Sequence, residues 1–424
     1  MDDKLDALVQ TLLKSRKTPI SKTNTIEEFK MIFKYLAFVA CAAKAPIRQK
    51  MLSEALTRIA KAGDAENIER WCLWTPFQLS LLELAERLSR VILIGGNGTG
   101  KTVMLDAFTE KTAKAHPDEN VIFAIHKINS SIRPLLELDL EVKHEKLENV
   151  SVVSFEKLSE LKDLTNLTNA TVCIDEIHMR DVKPEDLLAI KAKSLWIVIR
   201  DTDQDEDPEE YLRTQFPDWD IVNLSYPLRT SKNLSEKVKN GEINSGFHTN
   251  NFNSSMQVAP NMPLGPEPLI LSRSEGSYHA RLQQAFIVLG IDKPALIILE
   301  YVGMEPTTEE IQAAKATTSH QELAEKTDRD SQNILVGIEA VKACQRPHGP
   351  PLLWFESDFE YVSDGKDSIK EFMRGKNKKM SAKDLITDTY CVPGYEADFI
   401  IYLGSDFYLS ACMSRCRGQF VHIE

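Results

Sequence analysis

A glycine-rich stretch, VILIGGNGTGKTVML at residues 91–105, constrains the fold of this chain more than any other feature of the sequence. It matches the pattern G-x-x-x-x-G-K-[ST], with an apolar run typical of a strand before it and a helical pattern after it. Glycines let backbone amides curl around a phosphate, and the start of the following helix adds partial positive charge. The pattern therefore predicts a P-loop that binds the phosphates of ATP. The predicted nucleotide-binding residues of this loop are Gly95, Gly96, Asn97, Gly98, Thr99, Gly100, Lys101, Thr102 and Val103.

The last residues of this loop, together with two acids in the later stretch TVCIDEIH, predict ATP hydrolysis. Lys101 is expected to neutralise the β- and γ-phosphates, and Thr102 to place a hydroxyl on Mg²⁺. Asp175 ends a predicted buried strand and is expected to be the second metal-binding residue, while Glu176 is expected to act as the general base for the attacking water. His178, two residues after Glu176, either extends the acidic pair to a D-E-x-H motif or caps local structure.

The apolar segments predict an α/β fold with two parallel sheets in tandem. VILIGG, NVIFAIH, VSVVSF, ATVCIDE and SLWIVIRD form one series of short strands, and PLIL, ALIILE, PLLWF, DLITDTY and DFIIYLG form a second; helical segments separate them. Residues 1–70 have helical periodicity, so we expect a helical N-terminal segment at 1–70 and two domains at 71–222 and 223–424. The Asn-, Ser-, Gly- and Pro-rich segment at about 239–268 predicts a mobile loop.

The charge of the chain limits how it can meet a polyanion. The formal net charge is −12, although residues 1–70 hold 13 Lys and Arg against 9 Asp and Glu. A nucleic acid would therefore have to bind a local basic surface. The stretch MRGKNKKMSAK is a candidate for such a surface, and an exposed charge cluster without function is the alternative. Its basic residues are Arg374, Lys376, Lys378, Lys379 and Lys383.

Three further features predict an intracellular protein, in the cytoplasm or nucleus, with no membrane partner. Apolar stretches such as YLAFVACAA are shorter than the roughly 20 residues that cross a bilayer. The N-terminus opens with acids and lacks the features of a secretory signal. The seven cysteines are odd in number and show no CxxC pair, which favours thiols in a reducing compartment. We expect Cys412 and Cys416 in the core and not at a metal, and we expect Trp196 and Trp354 in the core as well.

Six more stretches occur in a defined order around the P-loop. They are WTPFQLSLL from residue 74, VSVVSFEKL from 150, RDTDQ from 200, LSYPLRTSKNL from 224, TYCVPGYEADFIIYLG from 389 and YLSACMSRCRGQFVHI from 408. In content and order they resemble the motifs of the superfamily 1 helicases of the UvrD-like kind. The resemblance covers roughly residues 71–424. It implies a minimal member without large accessory insertions, in which two RecA-like P-loop domains close on ATP.

This resemblance also implies roles for single residues. Gln78 would read the adenine edge, Ser154 would touch a nucleic-acid backbone, and Glu396, after Gly394, would face the ribose. The remaining implied residues contact or sense phosphate: Gln204, Arg229 and, as the arginine finger, Arg415. With Lys101 and Glu176 these three complete the predicted catalytic set. The sequence departs from the family at Arg200, which replaces the glycine of G-D-x-x-Q, and at Pro227 and Leu228, which replace the asparagine and tyrosine before Arg229.

Two functions stay open at this level. One is an ATP-driven motor that tracks single-stranded DNA or RNA between the two domains, which needs basic residues and aromatic side chains for stacking. The other is a nucleotide-gated switch or interaction module that keeps the helicase-like fold without separating strands, with a protein partner at the N-terminal helices. The acidic balance and the absent insertions favour the second. A small-molecule P-loop kinase is disfavoured by the second series of strands.

Overall fold

The computed structural model supports an account of most of the chain after residue 75. The described residues are 76–126, 134–162, 167–179, 182–201, 207–227, 232–240, 252, 256–258, 267–272, 276–290, 293–300, 306–344, 346–355, 364–374, 383–389, 391–392, 395, 397–405, 409–413 and 415–424. The chain groups into two compact units, one of residues 1–87 with 257–264 and one of residues 88–256 with 265–424. Both sheets belong to the second unit, and the predicted N-terminal helical segment lies outside the described residues.

The first sheet is built from short runs of Val, Ile, Leu and Phe, and its central strands are buried on both faces. Its strands are β1 (Arg90–Ile94), β2 (Val121–His126), β3 (Val150–Phe155), β4 (Thr171–His178), β5 (Ser194–Asp201) and β6 (Asp220–Asn223). They are parallel and lie in the order β3-β2-β4-β5-β1-β6. We call this sheet and its connecting helices the first lobe. Strand β5 therefore separates the P-loop strand β1 from the acidic strand β4.

The second sheet follows in the chain and is also parallel. Its strands are β7 (Leu269–Leu271), β8 (Leu296–Leu299), β9 (Leu352–Trp354), β10 (Leu385–Asp388), β11 (Ala397–Leu403) and β12 (Cys416–Ile423). They lie in the order β7-β12-β11-β8-β10-β9, and we call this sheet with its helices the second lobe. The two lobes give an α/β fold consistent with two RecA-like domains in tandem.

Helices connect the strands, as parallel pairing requires. In the first compact unit, α1 is Pro76–Leu84; in the first lobe, the helices are α2 (Lys101–Ala115), α3 (Pro134–His144), α4 (Leu158–Lys162), α5 (Pro184–Leu188) and α6 (Pro208–Gln215). Between the sheets lies α7 (Lys232–Asn240), and the second lobe contains α8 (Tyr278–Leu289), α9 (Thr308–Thr317), α10 (Gln321–Glu325), α11 (Arg329–Ala343), α12 (Lys366–Arg374) and α13 (Leu409–Met413). A capping box defines the start of α9, where Thr307 and Glu310 accept each other's backbone N–H groups.

An apolar cluster joins the two lobes. Leu135, Leu138 and Val142 of α3 pack in one core with Ile369 and Met373 of α12. Two ion pairs flank this contact: Lys370 Nζ lies 2.7 Å from Glu141 Oε2, and Arg374 Nε lies 2.9 Å from Glu145 Oε2. Two basic residues of α12 thus pair with acids in α3 and directly after it. Part of the positive charge of α12 is therefore neutralised within the protein.

A buried ionic cluster ties together two strand starts in the second lobe. Asp384, which precedes β10, is fully buried and accepts hydrogen bonds from the Ala295 backbone N–H at 2.8 Å and from Arg346 Nε at 2.9 Å. His348 Nε2 lies 3.2 Å from the same carboxylate. Because Ala295 precedes β8, one side chain holds the entries to two central neighbouring strands.

Replacing Asp384 with alanine is expected to lower the free energy of unfolding by about 3–5 kcal/mol, because the change leaves the Arg346 guanidinium buried without its carboxylate. Denaturant unfolding followed by circular dichroism measures the loss. Asp218→Ala is the control, since this aspartate is exposed and its loss should change the free energy of unfolding by less than about 0.5 kcal/mol. Equal unfolding midpoints for the two variants would contradict a stabilising role of the cluster.

Most of the predicted elements are confirmed. All ten apolar segments form strands, and Trp196 and Trp354 are buried, as are Cys412 and Cys416. The short strand β6, with the sequence DIVN, was not predicted because it has only two apolar residues between polar ends. Within the described ranges, no helix has the length and apolar character needed to cross a membrane, and no three His, Cys, Asp or Glu side chains cluster as a metal site. Most of the predicted loop at 239–268 lies outside those ranges.

Candidate nucleotide-binding and catalytic site

The glycine-rich loop leaves the carboxyl end of β1 and turns at once into α2. Gly95, Gly98 and Gly100 have φ angles of 142°, 79° and 89°, values that residues other than glycine rarely adopt. A Cβ atom on Gly95 would collide with the backbone oxygen of Leu224, whose N–H donates to Ile94 O at 2.9 Å. The loop therefore passes so close to the segment after β6 that only glycine fits at its first position.

The loop ends in the start of a long helix. Gly100 is the N-cap residue of α2, and the Met104 N–H donates to its carbonyl at 2.9 Å. The first turn of α2 contains no acidic residue, so no side chain there offsets the partial positive charge of the helix start. Together with the backbone amides of the loop, this end of α2 is suited to bind an anion.

Lys101 lies folded over the loop. Its ammonium group donates hydrogen bonds to Gly95 O at 2.7 Å and to Gly96 O at 2.9 Å, and the residue is buried. Thr99 Oγ1 donates to Gly96 O at 2.9 Å and stiffens the same turn. The lysine charge is thus held directly above the loop, where it can meet the phosphates of a bound nucleotide.

Thr102 and Asp175 meet although they come from different elements. Thr102 Oγ1, at the start of α2, donates to Asp175 Oδ2 on β4 at a distance of 3.0 Å, and Asp175 is fully buried. Hydroxyl and carboxylate oxygens are the ligand types that Mg²⁺ prefers in nucleotide sites. The pair therefore fits a magnesium ion in its donor chemistry and in its place beside the loop.

Strand β4 is irregular where its two acids lie. Ile174 pairs with Ile197 of β5 and Ile177 pairs with Ile199, so that Asp175 and Glu176 oppose a single residue of the neighbouring strand. Glu176 has a φ angle of 56°, which is unfavourable for a residue other than glycine. Bulges and strained residues of this kind occur often beside active sites, where the surrounding structure maintains them.

Two arginines from different lobes hold the Glu176 carboxylate. Arg200 Nη1, on β5, lies 3.3 Å from Glu176 Oε2, and Arg415 Nη2, in the turn between α13 and β12, lies 3.7 Å from Glu176 Oε1. All three side chains are at most 10% exposed. The second lobe thus reaches the acidic end of β4 through a guanidinium group.

The contact of Arg200 was missed at the sequence level. RDTDQ was matched to G-D-x-x-Q, and the arginine was treated as a departure from that motif. A usable signal was present, because a charged residue that closes the apolar run SLWIVIR sits at the carboxyl edge of the sheet, beside the other strand ends. That edge is where ligands bind in parallel α/β sheets.

A second buried carboxylate organises the turn that leads to Arg415. Glu300 follows β8, is buried, and accepts hydrogen bonds from the Ser405 N–H at 2.7 Å and from the Tyr402 hydroxyl. A Cβ atom on Gly404 would collide with this carboxylate, so the turn after β11 requires glycine there. Burial first, and the Glu300 carboxylate second, raise the pKa of the Cys412 thiol well above its usual range, while Arg415 lowers it. Glu300 and the arginine therefore both lie close to this thiol of α13.

The other predicted residues have different placements. Gln78 is buried on α1, which belongs to the first compact unit. Gln204, Arg229, Gly394 and Glu396 lie outside the described residues, as do Lys376, Lys378 and Lys379 of the basic stretch. Ser154 Oγ donates to Glu137 Oε2 at 2.7 Å, and Arg374 pairs with Glu145. His178 is buried with its ring 6.5 Å from that of His126. The functional roles assigned to these residues stay predictions.

Comparisons with known proteins return structures and no sequence relatives. No protein-family model matches the chain, and no curated protein matches it. A crystal structure of the DUF1998 helicase MrfA bound to DNA is similar over 85% of this chain and 47% of that one, at 10% identity and a TM-score of 0.42. The SWI2/SNF2 ATPase core domain of Sulfolobus solfataricus is similar over 82% and 84%, at 12% identity and a TM-score of 0.25. The chain thus spans about half the length of the first of these neighbours, which is a helicase, whereas the second is an ATPase core domain.

Proposed function

We propose that the protein binds ATP with Mg²⁺ in the first lobe and hydrolyses it with side chains from both lobes, as a helicase-like ATPase of the superfamily 1 type. One observation supports this most directly. The adjacent acids Asp175 and Glu176 contact the P-loop hydroxyl of Thr102 on one side and Arg415 of the second lobe on the other. P-loop ATPases need groups that bind phosphate and metal, a general base and a cationic side chain to meet in this way.

In the proposed reaction, the oxygen of a water molecule forms a bond to the γ-phosphorus while the bond to the bridging oxygen of ADP breaks. Glu176 accepts the proton of that water, and Lys101 neutralises charge on the phosphate oxygens. Arg415 stabilises the charge that develops in the transition state, because its guanidinium reaches the site from the other lobe. Bound Mg²⁺, held by Thr102 and Asp175, would supply further neutralisation of the β- and γ-phosphates.

A nucleotide-gated switch is the second candidate function, and the α3–α12 contact favours it. Lys370 and Arg374, basic residues of the second lobe, pair with Glu141 and Glu145 of the first lobe at 2.7 and 2.9 Å. These charges already have carboxylate partners within the protein, and the net charge of the chain is −12. A partner bound by a switch would recognise the lobe arrangement, whereas a motor would recognise a phosphate backbone.

Steady-state ATP hydrolysis by the full chain tests the proposal. We expect Mg²⁺-dependent turnover, and a loss of kcat/KM of about 100-fold or more in Lys101→Ala, because the variant lacks a charged donor to the phosphates. Lys114→Ala is the matched control, since Lys114 lies exposed on the same helix and pairs with Glu110. Turnover that Lys101→Ala and Lys114→Ala leave equally intact would refute the assignment of the P-loop.

The same assay separates the two candidate functions when single-stranded DNA or RNA is added at low and moderate salt. A motor is expected to show stimulation that decreases steeply with salt, because phosphate contacts release counterions. A nucleotide switch is expected to hydrolyse ATP at a rate that neither strand changes.

A further inference from the structure

Arg200 lies on the strand between the P-loop and the two acids. Strands β1 and β5 are parallel and in register, with Leu93 beside Val198. Extending this register by two residues sets Arg200 level with Gly95, the first residue of the P-loop. On its other side, β5 neighbours β4, which carries Asp175 and Glu176. The arginine therefore lies at the carboxyl edge of the sheet between the phosphate-binding loop and the candidate general base.

The contacts of Arg200 and Arg415 involve different oxygens of the Glu176 carboxylate. Arg200 Nη1 is 3.3 Å from Oε2, whereas Arg415 Nη2 is 3.7 Å from Oε1. Arg200 is 8% exposed, and a guanidinium buried to this extent needs an anion nearby. Glu176 supplies that anion. Its φ angle of 56° is a costly backbone conformation that this environment stabilises.

A bound γ-phosphate would be a stronger anion for the same guanidinium. It carries more negative charge than one carboxylate and offers three acceptor oxygens, and the planar fork of arginine matches phosphate geometry. The distance from Glu176 Oε2 to Arg200 is already long for a charge-assisted hydrogen bond. The contact with Glu176 can therefore be exchanged for a stronger one with phosphate.

We propose that Arg200 is a further phosphate-binding residue, which pairs with Glu176 in the structure and transfers to the terminal phosphate when ATP binds. This inference rests on the proposed ATPase function. The transfer removes the Arg200 contact from Oε2 of Glu176, so that the surroundings of the carboxylate change when a γ-phosphate is present. Arg200 thereby couples recognition of ATP, as opposed to ADP, to the environment of Glu176, the candidate general base.

Equilibrium binding of Mg·ADP and Mg·ATPγS to the full chain tests this role without turnover. Arg200→Gln is expected to weaken binding of ATPγS about 10- to 100-fold and to leave binding of ADP unchanged, because only the triphosphate offers the terminal group. Arg200→Lys keeps the positive charge without the planar guanidinium, and we expect it to lose less of the preference for ATPγS over ADP. Arg213→Ala, which removes an exposed arginine of the same lobe that pairs with Glu209, is the control.

The ratio of the two affinities decides the outcome. An equal loss of ADP and ATPγS binding in Arg200→Gln, or an unchanged ratio, overturns the proposal, since either result means that the arginine is only structural. Retained ADP binding in the variant also shows that it folds. If Arg200→Gln does not fold, the ratio measured for Arg200→Lys decides in the same way. A wild-type protein that binds neither nucleotide overturns the ATPase function as well, and this result is distinct from a preference that Arg200 does not affect.

Discussion

Replacing Glu176 with glutamine is expected to lower kcat for ATP hydrolysis by about 100- to 10,000-fold, because the amide cannot accept the proton of the attacking water. Binding of ATP is expected to persist, since the contacts of Lys101 and Thr102 with the loop and with Asp175 do not involve this side chain. Glutamine has nearly the same size and can still accept a hydrogen bond from Arg200. The variant should therefore keep the shape of the site and trap the bound nucleotide before hydrolysis.

Single-turnover hydrolysis with pre-bound ATP measures this effect separately from binding. Glu185→Gln is the matched control, because Glu185 is exposed at the start of α5 in the same lobe. A Glu176→Gln protein that hydrolyses ATP at the rate of the Glu185→Gln protein would show that another group activates the water, and the assignment of the base would be wrong.

Replacing Arg415 with alanine is expected to lower kcat by about 1,000-fold or more, with little loss of nucleotide affinity. An arginine that reaches a γ-phosphate from a second domain acts mainly on the transition state, where negative charge is spread over the transferred group. In the structure the same guanidinium lies 3.7 Å from Glu176 Oε1. The variant would retain the complete P-loop, and for this reason ground-state binding is expected to survive.

The control for this prediction is Arg329→Ala, which removes an exposed arginine at the start of α11 in the second lobe. Comparing kcat with the dissociation constant of ATPγS separates catalysis from binding. A loss confined to affinity, with kcat preserved, would place Arg415 in ground-state binding and would rule out a finger role.

These residues connect hydrolysis to the arrangement of the lobes. Glu176 lies in the first lobe and Arg415 in the second, and the two side chains lie 3.7 Å apart. In the proposed function, a phosphate that draws Arg415 away from Glu176 changes a contact between the lobes. The α3–α12 interface, with its apolar core and two ion pairs, is a second contact that can persist while the first one changes.

Much of the fold was predictable from local pattern. Apolar runs such as VILI and TVCI specify buried parallel strands because a strand covered on both faces needs apolar side chains on both. DIVN was missed, since two apolar residues between polar ends do not differ from a loop, and only pairing with β1 makes this segment a strand. The loop from Gly95 to Thr102 could be predicted because its features are local: glycines adopt its positive φ angles, and the helix starts directly after Gly100.

The sequence was thus sufficient for the two sheets and for the glycine-rich loop between β1 and α2, both of which follow from short-range patterns. Only the folded chain decides that Thr102 meets Asp175 and that Glu176 lies between Arg200 and Arg415. Those contacts join residues that are 24 to 239 positions apart and depend on strand order, on the bulge in β4 and on the packing of the second lobe. No local pattern encodes them, because each arises from the placement of one element against another.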